Sequence, residues 1–277
     1  MREVWPIPTS RDDKYSRGVV GVDTGSSRYP GAAILSTLGA IRSGASFIRY
    51  CGATEAKSSI IERCPSSTFG AGRVNAWVLG CGWDDEEDNV PRLAQRLADG
   101  VPTVIDAGAL GAITSAMWSM GMKYLPAGCL LTPHAGELAR LLGVHRSDVE
   151  GDPISYAARL SWKLGAAVLI KGSIQYCVVG PWGSIGRVAT VTRGAYAVNN
   201  DMVVYRAYPG PAWTAQAGSG DILAGVAGTL LAAGIPSVVA GALAASLQAM
   251  TAIRHQGPWA PDQLADWFPE TVAWLVS

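Results

Sequence analysis

The chain of 277 residues carries Gly218-Ser219-Gly220-Asp221 at the opening of an apolar, glycine-spaced stretch that runs to Gly234. Two glycines let backbone N–H groups turn towards one point, and the start of a helix adds partial positive charge there, a combination that suits a phosphate. A carboxylate at that point repels a polyphosphate, so Asp221 reads as a proton acceptor for a hydroxyl rather than as a binding group. The same residues also fit a plain helix start in which Asp221 only stabilises the dipole, and short glycine motifs recur by chance.

Further polar residues recur after short apolar runs. Thr103–Ile105 ends in Asp106, which fits a general base, a holder of water or magnesium, or a cap for the next helix. Thr132-Pro133-His134 closes another run, with Glu137 in the first turn beyond it, and places an imidazole where a ligand would arrive. Lys171-Gly172 closes Ala167–Ile170, and an ammonium in that position pairs with phosphate or stays solvated. Two glycine loops complete the set: Gly21 to Gly31, rich in hydroxyls, and Gly80-Cys81-Gly82 before Trp83. Each signal alone is weak; their arrival at successive run ends, ahead of Gly-Ser-Gly-Asp, is far less so.

What must position them is a sheet of buried strands. The runs Gly18–Val22, Ala76–Leu79, Thr103–Ile105, Cys129–Thr132 and Ala167–Ile170 are strand-length, and helices between them make the strands parallel. Helices are expected at Gly31–Ser43, Asn89–Asp99, Ala135–Leu142 and Pro153–Leu164, with stops at Gly143 and Gly165. Strands Gln175–Val179 and Arg187–Val191, joined by Gly180-Pro181-Trp182-Gly183, predict an antiparallel hairpin at the sheet's edge. The last third reads as helices Ser219–Ala233, Pro236–His255 and Pro261–Val276. In such an α/β sheet, ligands gather beyond the carboxyl ends of the strands.

Composition narrows the partners. Lys plus Arg number 22 and Asp plus Glu 22, without a sustained basic run, which argues against nucleic acid. The apolar stretches near 226–233 and 238–245 are broken by Gly or Ser and read as buried helices rather than membrane spans. Five cysteines without Cys-x-x-Cys spacing read as buried thiols, and the three histidines lie too far apart in sequence to announce a metal site. Met1 to Arg17 is polar, without the order of a secretory signal, so a cytoplasmic protein of one domain over 1–277 is expected.

The segments Tyr29–Ala33, Ile41–Ala45, Val78–Gly82, Ile105–Leu110, Thr132–Glu137, Leu169–Gly172 and Ala217–Gly225 together resemble the ADP-dependent NAD(P)H-hydrate dehydratases of the ribokinase-like superfamily, over about Gly18 to Gly234. The resemblance implies a three-layer α/β/α sandwich with a mainly parallel sheet. It implies a lyase that repairs the S-form of hydrated NADH or NADPH with ADP, or ATP, as co-substrate and Mg2+ to neutralise the phosphates. A phosphoryl group is transferred to the hydrate's hydroxyl and then leaves as the double bond returns. By the same resemblance Asp221 is the base and also touches the hydrate, with Ala40, Gly82 and His134 lining the hydrate's site. Lys171, Gly172, Ser173, Ile174, Gln175, Gly218, Ser219 and Gly220 hold the nucleotide. A homotetramer is implied, and a separate chain would supply the epimerase that some relatives carry in fusion.

Three departures from the family pattern stand out. Gly-Pro-Gly-Leu-Gly becomes Gly80-Cys81-Gly82-Trp83-Asp84, Asp-Ala-Asp-Ala-Leu has Gly108 at its second acid, and His-Pro-Gly-Glu has Ala135. A bulky Trp83 and an acidic Asp84 at a phosphate-rich ligand's edge are expected either to narrow the site or to weaken binding. The alternatives are a vitamin-precursor alcohol kinase on the same fold and a nucleotide-binding homologue without turnover.

Overall fold

The computed structural model describes residues 1, 3–84, 88–180, 195–197 and 202–277. Its strands are β1 (Val19–Asp23), β2 (Phe47–Tyr50), β3 (Thr68–Phe69), β4 (Ala76–Leu79), β5 (Thr103–Ile105), β6 (Leu130–Leu131), β7 (Ala167–Ile170), β8 (Tyr176–Val179), β9 (Ala195–Ala197) and β10 (Val203–Arg206). They form one sheet in the order β3-β2-β1-β4-β5-β6-β7-β8-β10-β9. Every pairing from β3 to β7 is parallel, and those of β7 with β8, β8 with β10 and β10 with β9 are antiparallel.

The expected antiparallel edge is therefore present, although its hairpin differs. Residues 181–183 and 187–191 lie outside the described residues, and the strands hydrogen-bonded to β8 are β7 and β10. The sequence reading passed over β2 and β3, because Arg49 interrupts the apolar run of Phe-Ile-Arg-Tyr and β3 has only two residues.

The helices are α1 (Pro30–Arg42), α2 (Lys57–Arg63), α3 (Asn89–Leu97), α4 (Ala107–Ser119), α5 (Ala135–Leu142), α6 (Arg146–Gly151), α7 (Pro153–Leu164), α8 (Ser219–Ala232), α9 (Ser237–Arg254), α10 (Pro261–Ala265) and α11 (Phe268–Val276). Local chemistry explains their ends: the Asp152 side chain caps α7, and Gly143 and Gly165 close α5 and α7 in the left-handed conformation. The single helix expected over Pro261–Val276 is two. Pro269 has no N–H to bond the carbonyl four residues back, so it is tolerated only in the first turn of a new helix.

Successive strand residues face opposite sides of the sheet and build two cores. Val20, Val22, Val78, Val104, Leu130 and Leu169 pack with residues of α1, α8 and α9. Trp77, Leu79, Ile105, Leu131, Val168 and Ile170 pack with α3, α4, α5 and α7 on the other side. The sandwich expected from the resemblance is thus formed. Among the described helices α9 alone has the length and apolarity to cross a membrane, but 78% of its residues are buried inside the protein.

The helix that opens on Gly218-Ser219-Gly220-Asp221 is held most closely by α1. A Cβ on Gly225 would stand 2.0 Å from the Ser36 carbonyl oxygen, and the Thr229 hydroxyl donates to the Ala40 carbonyl at 3.1 Å. The two backbones approach so closely that no side chain fits between them. Gly225→Ala is expected to cost about 1–3 kcal/mol by overpacking, read as a lower urea midpoint at unchanged slope; an unchanged midpoint would show that α1 and α8 separate freely.

Candidate active site

The loops after β4, β5, β6 and β7 and the start of α8 meet at the carboxyl ends of the parallel strands. They adjoin the reversal of strand order between β1 and β4, where open α/β sheets collect ligands. A cavity of about 660 Å³ opens further along this edge, beyond β6 and β7, lined among others by His134, Lys171, Ser173, Gln175, Ser219 and Gly220. Gly172 also lines it. The far wall comes from Tyr208 and the Gly210–Gln216 segment, with Gln248 and Ala249 of α9.

At the start of α8, Gly218 is left-handed at φ 93° and provides no side-chain cap. The Ser219 amide donates to the Gln216 carbonyl at 3.2 Å, which leaves the amides of Gly220 and Asp221 as donors for an anion. The Gln248 side chain of α9 donates to the Ser219 carbonyl at 3.0 Å and ties this corner to the core. Across the cavity floor the Lys171 ammonium stands 3.3 Å from where a Cβ on Gly220 would be, and it donates to Asp106 Oδ1 at 2.8 Å. Asp106, 1% exposed, also accepts from the Ala107 amide, so it is both the cap of α4 and the partner of Lys171.

The electrostatics follow from this crowding. Burial pushes the Asp221 carboxyl up, the nearby Asp106 adds to the rise, and Lys171 and the Cys81 thiol offset only part of it, leaving Asp221 at about 7. Burial alone would push the Lys171 ammonium down, yet Asp106 and Glu137 hold it above its ordinary value. Cys81, fully buried, is pushed well up by burial and by the charges of Asp221 and Asp106. The set thus offers a carboxyl that exchanges a proton near neutrality, a permanent ammonium and free helix amides within one small volume.

His134 is the N-cap of α5. Its Nδ1 accepts from the Gly136 amide at 3.0 Å and the Glu137 amide at 3.3 Å, while the Glu137 carboxylate accepts from the His134 amide at 2.8 Å. Nδ1 is an acceptor here, so the ring of the neutral form carries its proton on Nε2. The capping ring also lines the cavity, so one imidazole both ends the loop after β6 and faces the site.

Ala40 must be corrected. It is fully buried at the α1–α8 contact, its carbonyl taken by Thr229, and it presents no surface to a ligand. Gly82 lies against Ala32 and Tyr29 at the start of α1, outside the cavity lining, and the Ile174 side chain is exposed and also outside it. Gly218 and Asp221 adjoin the lining residues Ser219 and Gly220 without belonging to the lining.

The expected narrowing by Trp83 does not occur. Its indole is 5% exposed, turned inward, and donates to the Asp23 carbonyl at 3.0 Å. Arg92 stacks over it at 4.2 Å while pairing, with Arg96, to the buried Asp23 carboxylate. A Cβ on Gly108 would stand 2.6 Å from the Trp83 carbonyl oxygen and 2.7 Å from its Cβ, so the loop after β4 packs directly on the backbone at the start of α4 because residue 108 has no side chain.

Sequence reasoning took Cys81 only as a buried thiol and did not reach Tyr208, Gln216 or Gln248. The first lies beside both carboxylates; Tyr208 and Gln248 come from segments with no local motif to mark them, and Gln216 stands two residues before Gly218.

Comparison with known proteins agrees with this geometry. The family model described as NAD(P)H-hydrate dehydratase matches residues 20–265. The bifunctional NAD(P)H-hydrate repair enzyme of Mycobacterium tuberculosis is 37% identical over 238 residues, covering 84% of this chain and 45% of that protein, so the chain spans less than half of that relative. An ADP-dependent (S)-NAD(P)H-hydrate dehydratase of Neisseria meningitidis is 32% identical over 209 residues, 73% of this chain and 63% of that one. Among solved structures, the ADP/ATP-dependent NAD(P)H-hydrate dehydratase of Bacillus subtilis, co-crystallised with ATP and Mg2+, superposes with a TM-score of 0.79 at 21% identity over 99% of this chain and 95% of that one. That last likeness carries the ribokinase-like fold, and the family match, reaching from β1 through α10 and across every strand-end loop of the site, places the chain in the NAD(P)H-hydrate dehydratase family.

Proposed function

We propose that the protein is a lyase that restores NADH or NADPH from the S-form of its hydrate with ADP or ATP as co-substrate. The observation that carries this reading is Asp221, held at about 7 beside the uncapped amides of α8. A carboxyl in that range is a base at neutral pH and returns its proton readily. Asp221 takes the proton of the hydrate's hydroxyl as that oxygen attacks the terminal phosphoryl group. The amides of Gly220 and Asp221, which have no backbone acceptor, receive the charge that develops on the phosphoryl oxygens, and Lys171 faces the same point. His134 offers its Nε2–H, and Gly172, Ser173 and Gln175 border the space for the nucleotide. Gly82, at the start of α1, borders the side on which the hydrate would approach.

Magnesium is expected to travel with the nucleotide's phosphates. No group of three or more His, Cys, Asp or Glu that could hold a metal ion by itself occurs among the described residues, and no step is routed through the ion. The continuous sheet supports reading 1–277 as one domain. A homo-oligomer, a tetramer by resemblance, belongs to the same proposal. A cytoplasmic location beside the pyridine nucleotide pool, and pairing with a separate epimerase, complete the proposal.

The test is incubation of the purified chain with enzymatically hydrated NADH and ADP or ATP, following the dihydronicotinamide absorbance. Recovery of that absorbance with one of the nucleotides is expected. A folded protein giving none with either nucleotide would overturn the reading, and phosphorylation of a thiazole or pyrimidine alcohol would replace it with a kinase.

A further inference from the structure

Two buried carboxylates share one ammonium in this site. The groups that face Asp221 are Asp106 at the end of β5, Lys171 at the end of β7 and Cys81 in the loop after β4. Lys171 is itself faced by Glu137. The ammonium is already committed: Asp106 Oδ1 takes it at 2.8 Å. Asp106 Oδ2 lies 4.0 Å from Cys81 Sγ and 3.7 Å from where a Cβ on Gly220 would stand, one residue before Asp221.

The backbone fixes Asp106 in this place. Ala107, the next residue, has φ 45°, the only positive φ of a non-glycine among the described residues. Such a conformation persists only where the surroundings determine it, and it turns the chain so that the Asp106 side chain both caps α4 and meets Lys171. A capping aspartate needs neither the strain nor the ammonium.

We propose that Asp106 is a positioning residue which, by holding Lys171 and setting a second negative charge beside Asp221, fixes the pH at which Asp221 works as a base. The catalytic consequence rests on the proposed dehydratase reaction; the electrostatic one does not. Two like charges in a poorly solvated site cannot both ionise freely, so the one without the ammonium retains its proton to higher pH.

Asp106→Asn tests this, because asparagine caps a helix as well as aspartate does while removing the charge and freeing Lys171 for Asp221. Asp106→Ser, also a capping residue, serves if the first variant does not fold. With carbon-13-labelled aspartate, the Asp221 carboxyl resonance is identified by its loss in Asp221→Asn and titrated. Its midpoint is expected to fall by about one pH unit or more in the Asp106 variant, and the acid limb of kcat/KM should move the same way. A cap lost without the charge effect would lower Tm and leave both midpoints in place. An unmoved midpoint in a folded variant overturns the proposal. If the resonance shifts in a chain that never dehydrates the hydrate, the electrostatic role stands and the dehydratase reading fails.

Discussion

Asp221→Asn is expected to lower kcat by about a thousandfold, within the range that general-base catalysis supplies, while nucleotide affinity by equilibrium binding changes little. Asparagine keeps the volume at the start of α8 and the free backbone amides of residues 220 and 221, so the anion cradle survives and only the proton acceptor is lost. Stability should move oppositely. Because Asp221 is held at about 7 instead of its ordinary 3.8, the folded state keeps a proton that the unfolded chain loses. Its favourable contribution is fully present below about pH 4 and is lost as pH rises through about 7, where the ionised carboxylate sits beside Asp106. Asp221→Asn should therefore raise Tm at about pH 8 and have little effect at about pH 4. A variant that retained turnover would refute the assignment of the base, and one that lost stability at the higher pH would refute its electrostatic environment.

Lys171→Met should destabilise the fold by about 3 kcal/mol, the low end for removing one partner of a buried ion pair. The Asp106 side chain is only 2% exposed and would be left charged without its ammonium, whereas Lys171 at 21% has some access to water. Methionine approximates the stem of lysine, so packing changes little and the loss reads the uncompensated charge. Urea unfolding measures it, and the deficit should shrink as pH falls because protonation removes that charge. A loss under about 0.5 kcal/mol would mean that water already solvates the pair. Nucleotide binding should weaken in the same variant, since the ammonium faces Gly220 across the floor of the cavity.

These two residues also show how much could be read in advance. Gly218-Ser219-Gly220-Asp221 suggested an anion site and a base through residue types alone, and Lys171 and His134 stood out at run ends because buried parallel strands are short, apolar and abruptly terminated. The same patterning yielded most strands and helices, while β2, with Arg49 inside it, and the break at Pro269 escaped it. Ala40 misled because a motif position says nothing of which helix face meets a neighbour; the α1–α8 contact buries it.

What the sequence determined by itself was the inventory and its order: an α/β chain, strand-end polar residues, a glycine-opened helix carrying one acid. What only the tertiary structure decided was which charges meet. Asp106 and Lys171 are 65 residues apart, yet they lie 2.8 Å from each other and together leave Asp221 only partly compensated. Gly108 lets the loop after β4 approach α4 so closely that a Cβ there would meet the Trp83 carbonyl oxygen at 2.6 Å. Local propensity acts along the chain, but a carboxyl's proton affinity depends on the inverse distance to charges and on the water excluded around it, and the packing of β4, β5, β7 and α8 sets both.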